Sequence, residues 1–314
     1  MLNLLQECSG AKVIGITGHV RPDGDCVGSC MALYMYLRKA MPEADITVYL
    51  EESAQSYYHI KHLQAIDSTF RAKDKYDVFF CLDSMPDRVG QAEVLYESAG
   101  KKINIDHHIT NSGCGDVNYI DAQIGSCAEL IYNLIPEEAL DDDIAKAIYI
   151  GMIHDTGVFQ FSNTRPSTMI AASKLIQYDI DFANLIQESF YEKSYKQTKI
   201  MGDAVLRSKM YLEGRCLLSY MTKEDMAELQ AEPSDFNGVI NRLKTVRGVD
   251  CAVFMYEIED GNYKISLRTS DKLDATKVTS VFGGGGHVRA AGCNLHGTAS
   301  QVIEKLIAEI DKNL

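Results

Sequence analysis

The stretch GHVRPDGDCVG, residues 18–28, gathers one imidazole and two carboxylates directly behind the apolar run KVIGIT. Asp23 and Asp25 straddle Gly24; in extended or turn geometry their carboxylates can face different sides, whereas a helix would set them roughly 200° apart. Pro22 favours the non-helical loop. Comparable residues follow other apolar runs: Asp83 closes YDVFFCLD, Asp106, His107 and His108 close KKINIDHH, and Asp155 ends DIAKAIYIGMIHD. Oxygen and imidazole donors of this kind suit a pair of hard or borderline divalent cations, such as manganese or magnesium, rather than the thiolate chemistry of structural zinc. Taken singly, each cluster has a plainer reading, because an aspartate at a strand end is commonly a turn or helix-cap residue. His154 reads as a helix-terminal imidazole interacting with the dipole, and Gln160, Asn163 and Thr164 as polar loop residues.

The elements that must position these groups alternate. AKVIGIT, DITVYL, YDVFFCLD and KKINIDHH are short β-rich runs, while VGSCMALYMYLRKAM and DIAKAIYIGMIHD carry apolar residues at helical spacing. This βαβ grammar predicts a parallel sheet, and such sheets collect ligands beyond the carboxyl ends of their strands. Asp141 to Asp143 lead into a helix whose N-terminus welcomes negative charge. Helices then dominate from about residue 167 to 212. Beyond Gly214 come RCLLSY, a helix from Thr222, a second helix in DFNGVINRLKTV, and a strand pair turning at Asp260-Gly261. The helix DATKVTSVFG, the run GGGGH, the strand AAGCNL and a last helix complete the chain. The expected architecture is α/β: an N-terminal parallel-sheet domain over 1–188, a helical connector over 189–212, and a smaller α/β C-terminal domain with a mixed sheet over 213–314.

Composition narrows the function classes. At 314 residues two domains are expected, and 46% hydrophobic with 24% charged residues is ordinary for a globular protein. No apolar run approaches a membrane span, and the N-terminus lacks a signal-peptide pattern, so the cytoplasm is the expected location and no membrane partner is foreseen. Nine cysteines without a CxxC pair read as reduced, mostly buried thiols. The net charge of −13 argues against coating long duplex nucleic acid, which wants a basic face. From Ala231 onward 10 Lys and Arg meet 11 Asp and Glu, so the acidic excess lies in the first 230 residues, where it could serve metal binding.

Together the clusters are more specific than any one. HxxxDxD after a first strand, Asp after another, DHH after a third and DTG after a helix resemble the DHH phosphoesterase superfamily, and GGGGHVRAAG resembles the signature of the DHH-associated C-terminal domain. The resemblance spans almost the entire chain. It implies that His19, Asp23 and Asp83 hold one metal, and that Asp25, Asp83, His107 and Asp155 hold a second, with Asp83 bridging. It further implies that Asp106 orients an imidazole and that His108 faces the substrate as phosphate binder or general acid, which makes His108 and Asp83 the catalytic pair. Two divalent cations are thus expected, manganese preferred, with magnesium or cobalt as substitutes.

In the C-terminal domain, Gly284, Gly285 and Gly286 allow close backbone approach to an anion, His287 and Arg289 add donors, and Arg268 in ISLRTS can pair with a second phosphate or stack on a base. Val288 and Thr269 stand where relatives often carry Pro and Ser. The two-domain length is similar to the compact nanoRNase and pAp phosphatase group, which implies short oligoribonucleotides, pAp or dinucleotides as substrates; a homodimer is compatible with it. The nearest competing expectation is a cyclic-dinucleotide or linear dinucleotide phosphodiesterase of the same architecture. A catalytically silent nucleotide-binding regulatory protein is the expectation from a different class.

Overall fold

Runs of apolar residues with no polar alternation need cover on both faces, and the first half of the chain supplies it. The computed structural model describes residues 2–314. They form two units, 2–192 and 193–314. In the first unit the strands are β1 (Val13–Thr17), β2 (Asp45–Tyr49), β3 (Val78–Leu82), β4 (Lys102–Asp106) and β5 (Val117–Ile120). All pairings are parallel, in the order β2-β1-β3-β4-β5. The central strands β1, β3 and β4 are buried almost throughout, whereas the edge strand β5 is not. That edge strand is short and polar, which is why VNYI gives no strand signal in sequence.

The helices of this unit are α1 (Leu4–Glu7), α2 (Gly24–Ala40), α3 (Ala92–Glu97), α4 (Cys127–Leu134), α5 (Asp142–Asp155), α6 (Pro166–Leu175) and α7 (Phe182–Ile186). Asp141 caps α5 by accepting from the Ile144 amide at 2.9 Å, as its position before an acidic first turn predicts. Helix α2 is buried along most of its length, and Gly28 and Gly151 let α2 and α5 lie close. A Cβ at Gly28 would stand 2.5 Å from the Ala147 carbonyl oxygen in α5, and one at Gly151 would stand 2.9 Å from the Asp25 Oδ1 in α2 and 2.5 Å from the Ala128 Cβ in α4. The non-helical loop expected through Asp25 is shorter than predicted. Asp23 is extended and accepts from the amides of Asp25 and Cys26 at 3.0 and 3.1 Å, so it is the N-cap of α2 and Asp25 already lies in the helix.

The second unit begins with α8 (Tyr195–Leu206), whose Ile200 and Ala204 pack on one face of its sheet. The strands are β6 (Lys209–Tyr211), β7 (Cys216–Met221), β8 (Cys251–Glu259), β9 (Asn262–Thr269), β10 (Gly285–His287) and β11 (Ala290–His296), in the order β10-β11-β9-β8-β7-β6. Only β7 and β8 pair in parallel, so the sheet is mixed as expected. Helices α9 (Lys223–Glu228), α10 (Val239–Lys244), α11 (Ala275–Ser280) and α12 (Ala299–Asn313) complete the unit. Alternation sorts the two cores: Leu217, Ala252 and Phe254 face α8 and α10, while Leu218, Val253 and Met255 face α11 and α12. Among the described residues no helix is long and apolar enough to cross a membrane.

Candidate metal centre

The sheet of the first unit runs outward from β1 in both directions, since the chain goes from β1 to β2 on one side and then returns to β3 on the other. At such a switch point the loops beyond the strand ends diverge and leave a crevice. His19 follows β1, Asp83 follows β3, and Asp106, His107 and His108 end and follow β4. Asp83 is buried and takes a left-handed backbone, φ 54°, a conformation that costs free energy for a non-glycine residue. Its amide donates to the Ile105 carbonyl at 3.0 Å, which fixes the turn.

Both carboxylate oxygens of Asp83 are used. Oδ2 lies 3.5 Å from the His19 Nε2, which is also 3.6 Å from an Asp23 oxygen. The His19 Nδ1 is 2.9 Å from the Val20 carbonyl, so Nδ1 carries the proton that bonds there and Nε2 is the nitrogen turned to the carboxylates. Oδ1 of Asp83 lies 3.4 Å from the His107 Nε2 and 3.6 Å from the His108 Nδ1. Around that same His107 nitrogen stand an Asp155 oxygen at 3.6 Å and an Asp25 oxygen at 3.8 Å. His19, Asp23 and Asp83 thus converge on one side and Asp25, His107 and Asp155 on the other, while Asp83 also groups with Asp106, His107 and His108 and reaches the second side through His107.

The electrostatics show a shortage of positive charge. Burial, with the charges of Asp83 and Asp155, pushes the Asp25 carboxyl well above the usual range. Burial, together with Asp83 and Asp23, pushes Asp155 up to about 6. Burial opposes protonation of the imidazoles, yet the nearby carboxylates of Asp23 and Asp83 push His19 up to about 12, and Asp83, Asp25 and Asp155 push His107 up to about 10. In this arrangement protons take the place of a cation. The Asp83 Oδ1 and His107 Nε2 are buried without a hydrogen-bond partner, and oxygen with imidazole nitrogen is the donor set of a divalent cation. The residues fit one.

A layer of polar groups holds these donors. Asp106 is buried; Oδ1 accepts from the His108 Nδ1 at 2.7 Å and from the His107 and His108 amides, and Oδ2 accepts from the Asn111 side chain at 2.6 Å. Burial opposes ionisation, but the bonds from His108 and Asn111 keep its carboxyl below the usual range. The bond to Asp106 in turn pushes the His108 imidazole up. The imidazole in contact with Asp106 is that of His108.

Sequence reasoning missed the amides beneath. Asn111 donates to the Asn104 Oδ1 at 2.9 Å, and Asn104 donates to the Cys81 and Ser84 carbonyls at 3.0 and 2.9 Å. An asparagine inside the buried strand KINID was the available signal, because a buried amide needs partners. Asn163, read from sequence as a polar loop residue, donates to the Asp155 Oδ2 at 3.1 Å and steadies it. Asp25 accepts from the Cys127 and Ala128 amides at 2.7 and 2.8 Å, so the N-terminus of α4 neutralises part of its charge while each oxygen keeps a further lone pair.

The second unit has a groove of about 680 Å³ whose lining includes Lys264, Ser266, Arg268, Gly285, His287 and Asn294. Burial pulls the Arg268 guanidinium below its usual value, and neither it nor Lys264 has an ion-pair partner among the described residues. The glycine run packs β10 against its neighbours, with Gly285 in the lining of the groove. The amides of Gly283 and Gly284 donate to the Ser280 and Thr279 carbonyls, ending α11, and Gly285 to His287 pair with β11. A Cβ at Gly284 would stand 2.2 Å from the Gly292 oxygen, and one at Gly286 would stand 2.5 Å from the Ala290 oxygen; these glycines let β10 lie close on β11. Arg289 is turned to the Ser270 and Leu273 carbonyls and does not line the groove.

Residues 13–152 match the model of the DHH family, N-terminal domain, and residues 214–314 match the DHHA1 domain. The bifunctional oligoribonuclease and PAP phosphatase NrnA of Thermus thermophilus is 29% identical over 306 residues, 96% of this chain and 90% of the relative. The Bacillus subtilis protein of the same name is 28% identical over 302 residues, 93% and 92% of the two chains. The crystal structure of an exopolyphosphatase-related protein from Bacteroides fragilis superposes with a TM-score of 0.89 at 25% identity, covering 98% of this chain and 94% of that one. With both domain models matched in order along one chain, the protein carries a DHH family N-terminal domain over 13–152 and a DHHA1 domain over 214–314.

Proposed function

We propose that this protein is a metal-dependent phosphoesterase that hydrolyses short oligoribonucleotides to mononucleotides and removes the 3′-phosphate of pAp. The observation that carries the reading is Asp83, one buried carboxylate that faces two separate groups of imidazole and carboxylate donors through its two oxygens. His19, Asp23 and Asp83 would hold one divalent cation, and Asp25, Asp83, His107 and Asp155 a second, with manganese preferred. Bound there, the cations would supply Lewis acidity toward a phosphoryl oxygen and neutralise its charge. His108 has its Nδ1 engaged by Asp106, so its Nε2 is the atom that can pass a proton to the leaving oxygen. In the second unit Arg268 and Lys264, with His287, bind anionic parts of the substrate. The overall acidity favours short substrates over long strands. The relatives named as oligoribonuclease and PAP phosphatase point the same way.

The test strips the protein with a chelator, reloads it with manganese, magnesium or cobalt, and compares pAp, dinucleotides, five-mers and cyclic dinucleotides. Metal-dependent release of phosphate from pAp and of mononucleotides from short RNA is expected. Preferential opening of cyclic dinucleotides would replace this substrate class with the competing one, and tight nucleotide binding without turnover in any metal would make the protein a regulatory binder.

A further inference from the structure

Directly behind Asp155 the chain turns through three successive left-handed residues, Gly157, Val158 and Phe159, with φ of 58°, 56° and 63°. Such backbone costs free energy at non-glycine positions, above all at a β-branched one like Val158. The turn places a loop. Its Gln160 and Phe161 amides both bond the Thr156 carbonyl at 2.9 Å, its Asn163 holds Asp155, and its Gln160 side chain donates to the Tyr191 hydroxyl at 3.1 Å. We propose that the Tyr191 ring, held by Gln160, is the platform on which a nucleobase of the substrate stacks. The proposal rests on the nucleotide phosphoesterase reading above and adds to it the group that recognises the base.

Tyr191 comes from a second irregular element. Gln187–Tyr191 is a single π-helical turn, closed by the Glu192 amide on the Gln187 carbonyl at 2.8 Å, and such turns recur at functional sites. Edge-to-face ring pairs tie it to the metal centre: Tyr57 meets His154 at 5.3 Å between centroids, His154 meets Phe190 at 5.4 Å, and Phe190 meets Tyr191 at 5.2 Å. His154 also packs on Gly24, between Asp23 and Asp25, where a Cβ would stand 2.2 Å from its Cγ. Tyr191 is thus two ring contacts from the side chain that precedes Asp155.

Exposed tyrosines usually swing freely in solvent. Tyr191 is 47% exposed, yet its hydroxyl is anchored and its ring is packed on Phe190, so its orientation is set before any ligand arrives. Phe161, the exposed ring next to Gln160, seats on Gly157 and has no polar atom to anchor. A neutral ring offers little to a second phosphate; its open face suits the plane of a purine or pyrimidine, and such stacking tolerates any base. That grip on the base is separate in kind from the anion contacts proposed for Arg268 and Lys264.

The sequence contains no tryptophan, so Tyr191→Trp puts a single indole at the platform. In the full-length, manganese-loaded protein AMP should quench its emission and ribose 5-phosphate should not. Equal emission with either ligand overturns the stack, whether or not any substrate turns over. In steady-state kinetics Tyr191→Ala should raise KM for pAp roughly ten- to a hundredfold, the scale of one base–aromatic stack, with kcat and manganese content close to wild type. Gln160→Ala, which keeps the ring but frees it, should raise KM less and likewise spare kcat. Base-free ribose 3′,5′-bisphosphate should not distinguish either variant from wild type. A wild-type KM for pAp in Tyr191→Ala, or the same rise on the base-free bisphosphate, overturns the platform. Failure of the wild type to hydrolyse pAp or short RNA overturns the phosphoesterase reading instead, and the quenching measurement then still decides whether a base stacks on residue 191.

Discussion

The two units carry opposite electrostatic deficits. In the first, Asp25, Asp83 and Asp155 crowd around His107, and protons must make up the missing positive charge. In the second, Lys264 and Arg268 line an open groove with no carboxylate paired to them among the described residues. The first arrangement is buried and braced by amides, and it calls for a cation. The second is lined by cationic side chains and suits an anion. A parallel sheet with a switch point concentrates side chains from several strand ends on one spot, whereas the mixed sheet presents a face along β9 and β11, so the proposed chemistry and the proposed recognition would fall to different topologies.

The comparison is broken most severely at Asp83. Asp83→Ala removes a donor from both metal groups and should abolish turnover even after reloading with manganese, while wild type recovers; a mutant with full turnover at saturating substrate would remove the two-group assignment. His108→Ala should lower single-turnover rates about 10²- to 10⁴-fold with metal content retained, because a general acid is lost rather than a donor to the cation. Metal loss in that mutant would move His108 among the ligands. Arg268→Ala probes the other deficit. It should lower kcat/KM for pAp or a dinucleotide roughly ten- to a hundredfold and leave a small activated phosphodiester nearly unaffected, and equal losses on both would contradict a separate recognition groove.

Smaller effects sharpen the same contrast. Burial and neighbouring carboxylates hold Asp155 at about 6 in the metal-free fold, so below that pH its carboxyl is protonated and a cation must displace the proton. Manganese affinity measured by titration should fall more steeply below pH 6 than above it, by about a further tenfold per pH unit as the Asp155 proton joins those displaced from His19 and His107, whereas an unchanged slope through pH 6 would show that Asp155 is not a ligand. Arg289→Ala should lower Tm by a few degrees and change kcat/KM by less than about twofold, since Arg289 bonds the Ser270 and Leu273 carbonyls instead of lining the groove.

What the sequence reveals depends on whether a residue's task is local. His19, Asp83 and the 106–108 triplet are legible because each sits immediately after an apolar strand, and the fold brings strand ends together. The helical position of Asp25 escapes the Pro-x-Gly reading because the cap bonds made by Asp23 start α2 at Gly24. Asn104, Asn111 and Asn163 act only once distant segments have closed, so nothing adjacent to them in sequence announces a partner. The glycine run shows the same limit in reverse. Its composition suits either an anion loop or tightly apposed strands, and the choice rests on the approach of β11 to β10.

The central claim is that one carboxylate, Asp83, serves two cations. Anomalous diffraction from crystals of the manganese-loaded protein tests it directly. The account predicts two peaks, one flanked by His19 and Asp23 and the other by Asp25, His107 and Asp155, with Asp83 reaching both. A single peak, or two peaks that do not share Asp83, would contradict it.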